Sequence, residues 1–421
     1  MSVHAVECAP EYQIRDGLPH IFAKATSGQE VRVAFLGGSI TAADGWRVFT
    51  LEHLRREFPR ATFTEIFAAV PGTGSNYGAA RLQRDVLRHH PDLLFVEFAV
   101  NDGEGSPLVQ AQMEGIVRQV WAASPRTDIC FVYAVSQSLL NDLLRGDCQS
   151  TARSMEKVAS HYGIPSFNFG VEVARRVNAG TLVLSAPNAI PSDALGNDPQ
   201  GRLIFSRDGT HPTDAGHRLC AQRLIPILSE FIRSGTPRPH ALPVPLRADH
   251  WQRARLITVN ETHHGAQWRQ LPQGAPQLTA QKGTDLVPPT WVAFEPGAAV
   301  EFRFKGTVVG LIGLKGPDNG KFRVTVDDLT PETGTLFDSY STPGRYLLKP
   351  WFYPNPLPDT EHRVRLELLS TVIDKAAIMA KAGTLIADAR PFVAHGLYLG
   401  GFLIVGDAIG PAPDQSAAAG K

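Results

Sequence analysis

The chain has little cysteine, four residues in 421, no excess of either charge, and no apolar run long enough to cross a bilayer. Each shortage removes a class of protein. Cys8, Cys130, Cys148 and Cys220 are scattered without CxxC or zinc spacing, and Cys130 lies inside the apolar run ICFVYAV. Reduced, structural thiols are therefore expected rather than a disulfide framework. Lys and Arg number 41 against 41 Asp and Glu and form no dense cluster, which argues against nucleic acid or an anionic membrane as partner. The start, MSVHAVECAPEYQIRDG, has neither a basic n-region nor an apolar h-region. A soluble cytoplasmic protein is expected as written, or an exported one whose leader has been removed.

The length favours two domains. Up to residue 235 short apolar strands alternate with amphipathic helices: VAFL, TEIFAAV, DLLFVEFAV, DICFVYAV and IPSFNFG are separated by helical runs such as NYGAARLQRDVLRHH and TARSMEKVASHYG. Such alternation implies right-handed crossovers and a parallel sheet covered on both faces. The run TDAGHRLCAQRLIPILSEFIRS closes this domain as a long helix. The boundaries expected are an α/β catalytic domain at 1–235 (core about 30–235), a proline-rich linker at 236–248, a second domain at 249–407 and a flexible tail at 408–421. In the second domain, AVEFRFKG, VVGLIGLKG, KFRVTVDD, HRVRLELL and YLGGFLIVGD alternate with period two, as in an antiparallel β-sandwich.

Chemistry gathers at the carboxyl ends of the first domain's strands, where open α/β sheets bind ligands. Ser39 follows the first strand in FLGGSIT. A serine hydroxyl is a feeble nucleophile and needs a base from another loop. FSRDGTHPTDAGH supplies His211, with Asp208 three residues earlier to orient the imidazole. An acyl-transfer transition state also needs oxyanion donors. VPGTGS, after the second strand, offers the N–H of Gly72, FAVNDG, after the third, offers the carboxamide of Asn101, and the Ser39 N–H is another donor.

The serine of GGSIT, the glycine of VPGTGS, the asparagine of AVNDG and the Asp and His of DGTHP, in that order, resemble the four blocks of the SGNH, or GDSL-type, hydrolases. The resemblance covers about residues 30–235. It implies a flavodoxin-like α/β/α sandwich with Ser39 as nucleophile, Asp208 and His211 as its partners, and Gly72 and Asn101 beside the Ser39 amide as the oxyanion hole. One departure is Gly38, where the family commonly carries aspartate before the serine. Gly72 is preferred to Gly74 because PGTGSNYGAARL then aligns without a gap.

Gly38, Gly74, Asp102, Trp46 and Arg47 are candidate substrate-binding residues, although Asp102 in its tight turn reads better as a binder of loop amides, and Trp46 and Arg47 equally suit the start of a helix. Glu97, a charge inside a strand, is expected in a structural ion pair. His217 is expected on a helix surface. His263 and His264 are adjacent and ill-suited to share a metal. No metal and no organic cofactor is expected.

Near the four blocks stand mostly Gly, Asn, Asp, Arg and Ser, which favours a polar substrate over a lipid. The second domain's strands look like those of jelly-roll carbohydrate-binding modules, though a packing or dimerisation unit fits equally and a homo-oligomer is allowed. GRYLLKPWFYPNPLP, with Tyr346, Trp351, Phe352 and Tyr353, reads as an aromatic loop that packs in the core or stacks on a sugar. The activity expected is a carbohydrate O-acetyl esterase acting on an acylated small molecule or oligosaccharide. The alternatives are a lipase or thioesterase for longer chains, a non-catalytic sugar-binding protein, and transfer of the acyl group to a sugar hydroxyl.

Overall fold

The computed structural model describes residues 10–103, 107–187, 191–279 and 283–409. The expectations for Cys8 and for the tail beyond 409 lie outside the described residues. The chain divides into two units, Met1–Gln252 and Arg253–Lys421. Among the described residues, no helix is long and apolar enough to cross a membrane.

The first unit runs β1 (Tyr12–Gln13), α1 (Pro19–Thr26), β2 (Glu30–Gly37), α2 (Ser39–Ala42), α3 (Trp46–Glu57), β3 (Thr62–Ala69), α4 (Ser75–Asp85), β4 (Leu93–Glu97), α5 (Pro107–Ala123), β5 (Asp128–Tyr133) and α6 (Gln137–Leu144). It continues with α7 (Ser150–Tyr162), β6 (Ser166–Asn168), α8 (Phe169–Asn178), β7 (Leu182–Ser185), β8 (Leu203–Ser206) and α9 (Asp214–Arg233). The six-stranded sheet has the order β1-β6-β5-β4-β2-β3, parallel apart from the short β1. Its parallel strands follow the flavodoxin-like order, whose switch point lies between β2 and β4.

Register brings the chemistry to that point. Gly37 pairs with Ala69 on one side and with Glu97 on the other, so β2, β3 and β4 end on one line. Ser39, at the start of α2, and Gly72 and Asn101, on the loops after β3 and β4, lie just beyond it. Beneath them Phe35 and Phe95 stack with centroids 5.1 Å apart, and every residue of β4 is buried. Cys130, Cys148 and Cys220 are buried free thiols. The strands β7 and β8 form a separate parallel pair that no alternation in the sequence announces.

Residues 236–248, read as an exposed connector, are mostly exposed and are hydrogen-bonded to the rest of the first unit. His240 N–H donates to the Pro125 carbonyl, the Arg118 guanidinium to the Pro243 carbonyl, and the Leu246 and Arg247 N–H groups to the Glu114 carboxylate. Proline removes the N–H groups that a strand would need, so side chains of α5 satisfy this segment instead.

The second unit is an antiparallel β-sandwich built from β9 (Ala254–Ile257), β10 (His263–His264), β11 (Arg269–Gln270), β12 (Trp291–Ala293), β13 (Ala299–Lys315), β14 (Lys321–Val326), β15 (Glu332–Thr335), β16 (Leu347–Phe352), β17 (Thr360–Leu368) and β18 (Leu397–Ile409). The segments AVEFRFKG and VVGLIGLKG are one long strand rather than two. Residues 299–306 of β13 pair with β17 and residues 310–315 with β16, and the register against β18 shifts between Gly306 and Val308. The middle of the expected aromatic loop is a strand: β16 ends at Phe352, Trp351 packs edge-on against Phe322 at 5.3 Å, and buried Tyr353, just after it, donates its hydroxyl to the Thr330 carbonyl. His263 and His264 form β10, paired with Glu301 and Val300.

Candidate active site

Gly38 caps the four-residue helix α2 in an extended conformation, and the chain turns there so that Ser39 opens the helix. From the other end of the unit, α9 begins after Thr213, whose hydroxyl accepts the Gly216 N–H, and the segment before it carries Asp208 and His211. The two meet. Ser39 Oγ lies 2.7 Å from His211 Nε2, and His211 Nδ1 lies 2.7 Å from Asp208 Oδ2. The other Asp208 oxygen accepts the N–H groups of Thr210 and His211 at 2.9 and 2.8 Å. Burial works against ionisation of Asp208, but the His211 ring, the His211 N–H and the Thr210 N–H outweigh it and hold the carboxyl well below the usual range. An ionised Asp208 fixes the imidazole with its proton on Nδ1, which leaves Nε2 bare toward the serine. This array can deprotonate a hydroxyl and return the proton to a leaving group.

The sequence missed one member of the array. Ser206 donates its hydroxyl to Asp208 Oδ1 at 3.0 Å and accepts the Gly209 N–H at 3.0 Å, so it braces the turn that presents both Asp208 and His211. Its place two residues before Asp208 was the available signal.

Around Ser39 the donors are set by tight turns. The carboxamide of Asn101 lies against the Cα of Gly38, where a Cβ would overlap Asn101 Oδ1. The absence of aspartate at 38 thus has a steric reason. Gly72 is exposed in a left-handed turn with φ 73°, and a Cβ there would meet nothing within 4 Å. Backbone conformation requires that glycine. Gly74 differs, for a Cβ there would strike Asp102 Oδ1. That oxygen accepts the Ser75 N–H at 2.7 Å, at the start of α4, and burial raises the Asp102 carboxyl to about 7. Asp102 therefore ties the Gly74 loop to the Asn101 loop.

The expectations for four residues are corrected. Trp46 is fully buried and packs edge-on against Phe35, Phe95 and Phe169, so it offers no face to a substrate. Arg47, buried beside it, donates to the Thr41 carbonyl and pairs with Glu65 and Asp44. His217 is buried rather than on a surface; its ring packs against Gly45, Nδ1 accepts the Trp46 N–H at 3.4 Å, and burial lowers it to about 4. Glu97 is fully buried, but its partner is the Thr41 hydroxyl at 2.8 Å and not a cation among the described residues. Burial pushes its carboxyl up to about 7, so near neutrality a large share of it is protonated and uncharged.

A cavity of about 460 Å³ opens beside the imidazole. Its lining includes Asp193, Arg207, Asp208, His211, Asp214 and Arg218. Arg207 and Arg218 were not anticipated, since nothing in their spacing marks them.

Residues 35–219 match the model of the GDSL-like Lipase/Acylhydrolase family. No curated protein matches the chain. Among solved structures, a two-domain esterase, CEX, active on acetylated mannans and co-crystallized with mannopentaose, superposes with a TM-score of 0.71 at 20% identity, covering 94% of this chain and 96% of that one. A second structure of a two-domain esterase of the same description gives 0.69 at 20% identity over 94% and 97%. At that identity the likeness is one of fold, and it extends through both units. The sequence blocks, the strand order and the family match agree: residues 35–219 of this chain are a GDSL-like lipase/acylhydrolase domain.

Proposed function

We propose that this chain is a serine carbohydrate O-acetyl esterase. The observation that carries the proposal is the continuous line from Ser39 Oγ through His211 to Asp208, with both hydrogen bonds 2.7 Å long, at the switch point of a parallel sheet. Ser39 Oγ attacks the ester carbonyl as its proton passes to His211 Nε2, and Asp208 stabilises the imidazolium. The oxyanion that forms is held by the Ser39 and Gly72 N–H groups and by the Asn101 carboxamide. Its collapse breaks the bond to the sugar oxygen, which takes the proton from His211. Water, deprotonated by the same ring, then cleaves the acyl-enzyme to acetate and returns Ser39. The chemistry requires neither a metal nor an organic cofactor.

For a sugar ester rather than a lipid, support comes from Asp193, Arg207, Asp214 and Arg218, which share the lining of the cavity beside His211 with apolar Pro191, Ala194, Ile204 and Pro212. A long acyl chain gains its affinity from apolar surface, whereas a glycoside is recognised by charged and amide groups. The two-domain esterase active on acetylated mannans, which shares this fold over both units, supports the same reading. In the experiment, acetate release is measured over a panel of acetylated oligosaccharides, with 4-nitrophenyl acetate and a long-chain 4-nitrophenyl ester alongside. Wild type releases acetate from oligosaccharides and is slow on the long chain, and Ser39→Ala and His211→Ala abolish both acetate activities. Undiminished turnover by Ser39→Ala would end the proposal, and a preference for the long chain would replace the sugar ester with a lipid.

A further inference from the structure

At the opposite end of the sheet from Ser39, three segments remote in sequence bring together His20, Asp128 and His240, each with one potential ligand atom within 4.8 Å of the other two. We propose that these side chains bind a divalent transition ion of the zinc type, which clips the connector that ends the first unit onto its core.

The donor set, two imidazoles and one carboxylate, suits zinc and its neighbours rather than calcium or magnesium. One edge of the site is already at metal spacing: His240 Nε2 lies 3.1 Å from Asp128 Oδ1. With bonds of about 2.0–2.1 Å, a tetrahedral ion sets its ligand atoms about 3.3 Å apart. Only His20 must close in. A ligated histidine commonly gives its second ring nitrogen to a carbonyl, which fixes the tautomer. His20 has that arrangement, with Nε2 2.9 Å from the Arg238 carbonyl, and Nδ1 is then the bare nitrogen.

The other two ligands are equally held. The side chain of Asp128 has no exposure, and its second oxygen accepts the Ile21 N–H at 2.8 Å. The His240 ring stacks on Trp121 at 4.6 Å with planes 9° apart, and its backbone N–H donates to the Pro125 carbonyl at 2.6 Å. The rings of His20 and His240 meet edge-on at 5.3 Å. A buried Asp–His hydrogen bond alone needs none of the histidine from α1. The ion would join the first turn of α1, the start of β5 and the connector, three places otherwise tied by single hydrogen bonds. A water in the fourth position completes the shell.

Untagged full-length protein is stripped with EDTA, and zinc chloride is titrated in a calorimeter. Binding of one equivalent of Zn²⁺, with a thermal midpoint that rises with zinc concentration, is the expected result. Cobalt(II) as a spectroscopic probe gives the visible absorption of a four-coordinate nitrogen and oxygen site. His20→Ala and His240→Gln, whose folding is checked by circular dichroism, each weaken zinc binding at least about tenfold, the loss typical of removing a supporting or coordinating group. No zinc binding by wild type, or unchanged binding in both folded variants, would overturn the proposal. Neither result bears on Ser39, so the esterase reading is tested separately.

Discussion

Gly38 and Asn101 are in direct apposition: the carboxamide occupies the space that a side chain at position 38 would fill. The residue before the proposed nucleophile therefore sets where an oxyanion donor sits. Gly38→Ala displaces the amide, and its effect should approach that of Asn101→Ala, a fall in kcat of about two orders of magnitude with KM little changed. The double variant provides the sharper test. Because both changes act through one group, it should be no slower than Asn101→Ala alone. Steady-state kinetics on 4-nitrophenyl acetate decide this, and additive losses would show that Gly38 acts elsewhere.

Glu97 makes stability depend on pH in an unusual direction. Burial raises its carboxyl to about 7 against an ordinary value of 4.5. Between those values the folded chain holds a proton that the unfolded chain has released, so stability falls as pH rises through the window and levels above it. Asp102, also raised to about 7, contributes in the same sense. Glu97→Gln removes one of the two titrations. Relative to the variant, wild type should lose about 3 kcal/mol between about pH 4 and about pH 8. Urea unfolding at several pH values measures it, and parallel curves for the two proteins would refute the assignment.

Ser39, Gly72 and Asn101 were legible in the sequence because each follows an apolar strand of the parallel sheet, and Asp208 and His211 because an Asp three residues before a His stands just ahead of the last helix. Trp46 and His217 were not. Trp46, read as a pocket residue or a helix start, fills the space between Phe35, Phe95 and Phe169, and His217, read as a surface residue, closes the gap at Gly45. Phe169 stands 123 positions from Trp46 and Gly45 stands 172 from His217, separations that no local pattern reports. The long strand β13 was split for a different reason. Gly306 sits where β18 slips register, and a glycine between two alternating runs reads as a turn until the partner strand is known.

Arg218 projects from α9 into the cavity beside His211. Thr213, Asp214 and His211 share that lining, and in the proposed reaction the alcohol side of the ester extends into this cavity. A minimal ester such as 4-nitrophenyl acetate does not need that contact, whereas a glycoside hydroxyl can accept from it. Arg218→Ala should therefore raise KM for an acetylated oligosaccharide by about tenfold, the value of one hydrogen bond to a charged group. The kcat for that substrate, and both constants for 4-nitrophenyl acetate, should hold within about twofold, as uniform binding requires. A fall in kcat on both esters would instead place Arg218 among the residues that hold His211 in position.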